Sequence, residues 1–274
     1  MQLIDYHIHS KCSMDGHYTM TEMALASYEK GVREICFTDH CDLDDYKTGA
    51  LQESERPAQW QRVLEMFREL KANKPADLTV RLGRELGEGN HDLPKAREIA
   101  SAPELDFVLG SLHNLEDEAD FYDKSYTSLE DCRILIERYA EELIELSKMD
   151  FYDAMAHIGY TVRYMRRDGI PADFDMQNFG DMVDVCLKNL IQGGRGIEIN
   201  CSGLRTKKIM APIPTVDILK RYRELGGEII TIGSDAHRTN QAAGGLQEGL
   251  DILGELGYKY ITVYEKRKPS FIKI

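Results

Sequence analysis

Seven short apolar or β-branched runs, each followed by a stretch with helical spacing, constrain this chain more than any other feature. The runs are Leu3–His7, Glu34–Thr38, Leu78–Glu85, Phe107–Leu112, Tyr152–Ala156, Gly196–Asn200 and Glu228–Ile232. Most are bounded by polar or glycine residues and read as buried strands. Helical segments are predicted between them. Thr19–Lys30 opens with Thr19 and Glu22 spaced as a capping box and stops at Gly31. Ser128–Lys148 repeats Cys132, Leu135, Ile136, Tyr139, Leu143 and Leu146 on one face. A segment after Pro214 ends at Gly226-Gly227, and further helices fit Trp60–Lys71, Pro94–Ala100, Phe174–Leu190 and Gln241–Leu256. Such alternation specifies an α/β fold with a parallel sheet. With seven units, closure into a barrel is favoured over an open sheet. No linker, repeat or low-complexity stretch divides the chain. Asp42–Pro57 and Asn114–Thr127 read as long strand-to-helix loops, which build the active site at the C-terminal face of a barrel.

The bulk numbers narrow the function. The 274 residues are 42% hydrophobic and 30% charged, with a formal net charge of −13. That charge argues against a protein that grips nucleic acid over a broad basic face, but not against a small anionic substrate. No apolar run reaches the ~18 residues of a membrane span. The opening Met-Gln-Leu-Ile-Asp lacks a basic, apolar leader pattern, so a cytoplasmic protein is expected. The six cysteines show no C-x-x-C spacing and are expected as free thiols, with Cys36, Cys132 and Cys186 packing as small hydrophobes.

Six of the eight histidines fall at or near the predicted strand ends: His7, His9, His40, His113, His157 and His237. The acids Asp15, Glu85 and Asp235 share that placement. Side chains two apart on an extended segment point to the same side, so His7-Ile8-His9 forms a two-imidazole clamp. The bland alternative for H-x-H is a surface pair, and for a lone buried histidine a satisfied core residue. Six at consecutive strand ends point instead to one metal site. Glu85 is the natural bridge, because a carboxylate spans two metals more readily than an imidazole. Asp5 and Asp39 are candidates to orient ligand histidines, Asp39 having a turn cap as its alternative. His17 lies away from any strand end, and His91 sits in a polar turn with a structural or substrate-facing role. Trp60 is expected to pack a helix. Arg163 and Arg205 follow strand ends and suit bidentate capture of phosphate, whereas Arg166 and Arg167 read as solvated. Ser202 is a candidate donor to the substrate. Glu88, or an acid in Glu116–Asp120, is a candidate to receive a cationic group.

The chain resembles the PHP (polymerase and histidinol phosphatase) superfamily. The matching motifs are His7-Ile8-His9-Ser10, Thr38-Asp39-His40, Glu85, Gly110-Ser111-Leu112-His113, Ala156-His157, Glu198-Ile199-Asn200 and Gly233-Ser234-Asp235-Ala236-His237. The resemblance implies an α/β fold of a distorted (β/α)7 TIM-like barrel over a single domain, 1–274, with up to three divalent transition metals (zinc, manganese or iron). It implies that His7, His9, Glu85 and Asp235 hold one metal, that Glu85, His113 and His157 hold a second, and that Asp15, His40 and His237 hold a third. Asp15 stands where some relatives have histidine, which turns the third position toward manganese or iron. The implied reaction is hydrolysis of L-histidinol phosphate, a small phosphorylated amino alcohol. Water activated on the metals held by His7, His9, Glu85 and Asp235 would be the nucleophile, and Arg163, Arg205, Ser202 and Glu88 would contact substrate. No nucleic-acid or membrane partner is expected. The competing readings are action on other small phosphate esters, on nucleic-acid ends, or a non-catalytic metal-binding module.

Overall fold

Seven strands pair in sequence order, every neighbouring pair parallel, in the computed structural model, which describes residues 2–51 and 56–274. They are β1 (Leu3–Ile8), β2 (Val32–Phe37), β3 (Thr79–Gly87), β4 (Phe107–Ser111), β5 (Ala154–Met155), β6 (Gly196–Asn200) and β7 (Ile230–Gly233). The interleaved helices are α1 (Met20–Glu29), α2 (Arg56–Asn73), α3 (Leu93–Ala100), α4 (Leu129–Leu146), α5 (Val162–Arg167), α6 (Met176–Gln192), α7 (Val216–Glu224) and α8 (Leu246–Glu255). The last strand returns to the first. His9 N–H donates to Ala236 O at 3.0 Å, and Asp235 N–H donates to His7 O at 2.7 Å. The sheet is thereby nearly closed at its C-terminal end, which is the distorted seven-stranded barrel expected.

Local chemistry explains most elements. Thr19 and Glu22 form the predicted capping box on α1, satisfying two helix-end donors and contributing about 1 kcal/mol. On α4, Cys132, Ile136, Tyr139, Ala140, Leu143 and Leu146 are buried, the stripe read from the sequence with Leu135 only half-buried. The strands are buried on both faces, as a parallel sheet covered by helices requires. The six cysteines are buried. Trp60, half-buried on α2, packs under the Arg84 guanidinium at 4.2 Å.

Several elements differ from expectation. β5 is two residues, not five, although Asp153 and Ala156 extend its bonding to Val108 O and Gly110 O, each at 2.9 Å. The Tyr152 ring lies across β4, where a Cβ at Gly110 would meet it at 2.6 Å. Helix α8 begins at Leu246 instead of Gln241, because Gly245 caps it in a left-handed conformation, φ 81°. The six-residue α5 was too short to show a period. A hairpin of β8 (Tyr260–Glu265) and β9 (Lys268–Lys273) follows the barrel. Its turn residues Lys266 and Arg267 both have positive φ, and Arg267 pairs with Asp153 at 2.5 Å and donates to Ala100 O and Phe151 O. The hairpin therefore locks the end opposite the strand C-termini. Residues 52–55 of the predicted loop Asp42–Pro57 lie outside the described residues. Among the described residues no helix is long and apolar enough to cross a membrane.

Candidate metal centre

All nine sequence-predicted ligands converge at the C-terminal ends of the strands. Period-two alternation sends Asp5, His7 and His9 to one side of the β1 segment. His7 Nε2 and His9 Nε2 lie 3.0 Å apart, facing Glu85 Oε2 at 3.1 and 3.5 Å and Asp235 Oδ1 at 3.9 and 3.5 Å. The other oxygen of Glu85 looks elsewhere. Its Oε1 stands 3.1 Å from His113 Nε2 and 2.7 Å from His157 Nε2. One carboxylate thus divides its oxygens between two donor sets. On the open side Asp15 Oδ2 meets His237 Nε2 at 3.0 Å, and Asp15 Oδ1 lies 3.9 Å from His40 Nε2. Asp15 is 54% exposed, so this third set borders solvent while the first two are buried. The His9 ring stacks on both His40 and His237, with centroids 4.4 and 4.0 Å apart.

This chemistry fits metal ions. Among the described residues, His237 Nε2 is buried with no hydrogen-bond partner, a cost that a bound cation removes. His7–His9–Glu85, Glu85–His113–His157 and His9–His40–His237 each bring their donor atoms within 4.8 Å of one another. Burial opposes charge on Glu85, but the imidazoles of His7, His40 and His113 outweigh it and hold the carboxyl well below its ordinary range. Asp235 is held down in the same way, chiefly by His7 and His9 against burial. Burial and the neighbouring His237 and His40 rings push His9 down to about 3, leaving a neutral imidazole able to ligate.

Behind the donors runs a shell of orienting groups. Asp39 accepts from Ser10 N–H at 2.6 Å and from the hydroxyls of Ser10 and Ser13, each at 2.7 Å. Ser13 Oγ in turn lies 3.0 Å from His9 Nδ1, so Asp39 reaches His9 through Ser13. Asp5 accepts from Ser234 N–H at 2.9 Å and Ser234 Oγ–H at 2.6 Å, tying the β7 end to β1. Burial pushes Asp5 up to about 6. Glu198 was visible only as part of a motif. Its side chain reaches His7 Nδ1 at 2.6 Å, and it accepts the His157 N–H at 2.9 Å. Gly233 leaves the room for this, since a Cβ there would meet His7 Cβ at 2.2 Å and Glu198 Oε1 at 2.5 Å. Asp42 was not singled out by the sequence reading and lies between His40 and His113.

A cavity of about 750 Å³ opens onto the donors. Arg163 and Arg205 line it, and both reach Asp235. Arg163 Nη1 is 3.3 Å from Asp235 Oδ2, while Arg205 donates to Ser234 O and, at 2.7 Å, to Asp235 O. Asp235 itself has φ 52°, which turns its carboxylate toward β1 and its carbonyl toward Arg205. Arg167, expected to be solvated, lines the cavity with Lys208, Arg238 and the aromatic wall of Tyr122, Tyr160 and Tyr164. Arg166 pairs instead with Asp173.

Two expected substrate contacts are corrected. Ser202 is 1% exposed and gives its hydroxyl to Asn200 Oδ1 at 2.6 Å, which leaves it no reach into the cavity. Glu88 is fully buried and accepts the His113 N–H at 2.7 Å; burial and the nearby Asp42 carboxylate push its pKa well up. His17 is exposed at the cavity rim. His91 is structural, clamped between Asp44 at 2.7 Å and Glu142 at 2.8 Å.

The chain is similar to known proteins along its length. The PHP domain family profile matches residues 5–202, well over half of the chain. A "probable histidinol-phosphatase" of Clostridium acetobutylicum is 29% identical, spanning 98% of this chain and 99% of the relative. One of Thermotoga maritima is 27% identical over 97% of each. The crystal structure of histidinol phosphate phosphatase from Lactococcus lactis, complexed with zinc, L-histidinol and phosphate, superposes with a TM-score of 0.76 at 22% identity. That match covers 98% of this chain and 99% of the other and shows a common fold. The chain belongs to the PHP domain family.

Proposed function

We propose that this chain is a metal-dependent phosphomonoesterase that hydrolyses L-histidinol phosphate to L-histidinol and phosphate in the cytoplasm, working as one domain. The observation that carries the reading is the division of Glu85: one oxygen faces His7 and His9, the other His113 and His157, beneath a cavity that also holds Arg163 and Arg205. The full-length similarity to histidinol-phosphatases supports the substrate.

His7, His9, Glu85 and Asp235 would hold one metal, Glu85, His113 and His157 a second, and Asp15, His40 and His237 a third, with zinc, manganese or iron as the ion. When bound, such ions supply Lewis acidity, acidifying water and neutralising phosphoryl oxygens. Three carboxylates and up to three divalent ions leave a net of about +3 at the floor of an acidic protein, which suits a phosphate dianion. Arg163 and Arg205 add fixed donors on the Asp235 side, where a phosphoryl oxygen would complete the fork that Arg163 now shares with Asp235. Tyr160 and Tyr164, whose hydroxyls bond each other at 2.6 Å, wall the space left for the alcohol. Asp120, beside these tyrosines, is the remaining acid suited to an ammonium group in place of Glu88; burial pushes it up to about 6.

A second reading is favoured by the cavity rim. Arg167, Lys208 and Arg238 make the outer wall basic, which suits small phosphate esters bearing a second anion. Steady-state kinetics on protein of known metal content decides between them. A kcat/KM for L-histidinol phosphate well above that for doubly anionic phosphomonoesters supports the first reading, and the reverse order overturns it.

A further inference from the structure

Three buried polar atoms face one another behind the donor sets. His40 Nδ1, Asp42 Oδ1 and His113 Nδ1 are shielded from solvent, and none has a well-formed hydrogen bond among the described residues. Asp42 Oδ1 stands 3.6 Å from His40 Nδ1 and 3.3 Å from His113 Nδ1. The opposite nitrogens look away from it: His113 Nε2 toward Glu85 Oε1 at 3.1 Å, His40 Nε2 toward Asp15 at 3.9 Å. One oxygen therefore backs two rings that serve different donor sets. Gly87 leaves the necessary space, since a Cβ there would meet Asp42 Oδ1 at 2.4 Å and His113 Nδ1 at 3.2 Å.

We propose that Asp42 is a shared positioning residue that holds His40 and His113 with Nδ1–H toward its carboxylate and Nε2 toward the metals. The proposal rests on the metal-centre reading above. A neutral imidazole has one proton, and the hydrogen bond made by one ring nitrogen decides which lone pair is free to ligate. A carboxylate behind the ring also fixes its orientation and raises its basicity as a ligand. Each carboxylate oxygen has two lone-pair sites, so Asp42 Oδ1 can accept from both rings. The competing partner makes this matter. His40 Nδ1 also lies 3.2 Å from Glu85 Oε2, so without Asp42 the His40 proton would turn to the bridging carboxylate and occupy one of its ligating lone pairs. Glu88 is the poorer partner, because its Oε1 lies farther from His113 Nδ1, at 3.7 Å against 3.3 Å for Asp42 Oδ1.

The test uses full-length protein loaded with zinc: wild type, Asp42→Asn and Gly87→Ala. Asp42→Asn keeps the shape and removes the charge, while Gly87→Ala pushes Asp42 away from the rings. Zinc content by elemental analysis and zinc release into a chromogenic chelator are read, together with the melting temperature of the metal-free proteins. Both variants are expected to lose zinc roughly ten- to a hundredfold faster than wild type, with the metal-free Asp42→Asn protein melting as wild type does. Release at the wild-type rate from Asp42→Asn, or faster release accompanied by a lowered metal-free melting temperature, overturns the proposal. Wild-type protein that takes up no zinc, manganese or iron would overturn the metal-centre reading itself. Wild-type protein that holds zinc no more firmly than Asp42→Asn overturns only the role of Asp42.

Discussion

Glu198 Oε1 lies 2.6 Å from His7 Nδ1, and the other oxygen of the same carboxylate accepts the backbone N–H of His157 at 2.9 Å. A single residue of β6 thus holds a donor from β1 and another from the end of β5. Burial opposes a charged His7, but Glu198 and Glu85 outweigh it and raise its pKa well above normal. Glu198→Gln weakens this acceptor without changing its size. It is expected to reduce metal retention and kcat/KM by roughly ten- to a hundredfold, as loss of a carboxylate behind a ligand histidine does. Elemental analysis and steady-state kinetics check this; unchanged metal content together with an unchanged rate refutes it.

Glu85→Ala should damage two metal positions at once, while His40→Ala should mainly empty one. Removing Glu85 takes the shared carboxylate from both sets and leaves two cations without their screen. The measurement is metal equivalents per chain after gel filtration, paired with rate. Wild-type metal content in Glu85→Ala would show that the carboxylate does not bridge. Chelation of wild-type protein should abolish hydrolysis, and full activity in a preparation free of metal would sink the mechanism.

Arg163→Ala and Arg205→Ala should each lower kcat/KM by about ten- to a hundredfold, since charged hydrogen bonds contribute roughly 1.5–3 kcal/mol each. Their places differ. Arg163 pairs with the Asp235 carboxylate, whereas Arg205 braces the Ser234–Asp235 backbone. Lysine at 163 should restore part of the loss, because a point charge keeps attraction without the fork. Normal turnover by both alanine variants would assign phosphate capture to the metals alone.

His91 gives a pH-dependent test of the scaffold. Burial lowers its pKa, but hydrogen bonds to Asp44 and Glu142 outweigh this and raise it to about 10, against an ordinary 6.5. A raised histidine stabilises the fold fully below the unfolded value, and that contribution declines as pH rises from about 6.5 to about 10. His91→Ala should therefore cost about 2–3 kcal/mol at pH 6, somewhat under the usual value for a broken buried pair because Glu142 is 23% exposed. The deficit should shrink toward pH 10. Urea unfolding of both proteins at pH 6, 8 and 10 measures it, and a deficit that does not change with pH would refute the charge assignment.

The positions of the donors were legible in the sequence because strand periodicity is local. An apolar run ending in His-x-His, or in Ser-Leu-His-Asn, states which side chains leave the strand at its C-terminal end whatever the rest of the chain does. The seven-fold alternation, the Thr19 cap and the α4 stripe were legible for the same reason: each depends on neighbours within a turn or two. The two-residue β5 and the six-residue α5 were not, because neither is long enough to display a period.

What only the tertiary structure decided is which groups meet across the barrel. Closure of β7 onto β1 brings Asp235 beside His7 and His9, and folds Arg163 and Arg205 onto that same aspartate. Glu198 and Asp42 look like ordinary acids in the chain, one in a strand and one in an acidic loop. They become orienting groups because parallel pairing sets them against histidines 191 and 71 residues away in sequence. Ser202 and Glu88 carry the right chemistry at plausible positions, yet backbone direction turns both inward to internal partners. The sequence determined which residue types stand at each strand end, since that follows from alternation along one strand; the pairing of those ends depends on contacts between strands distant in the chain, which only barrel closure supplies.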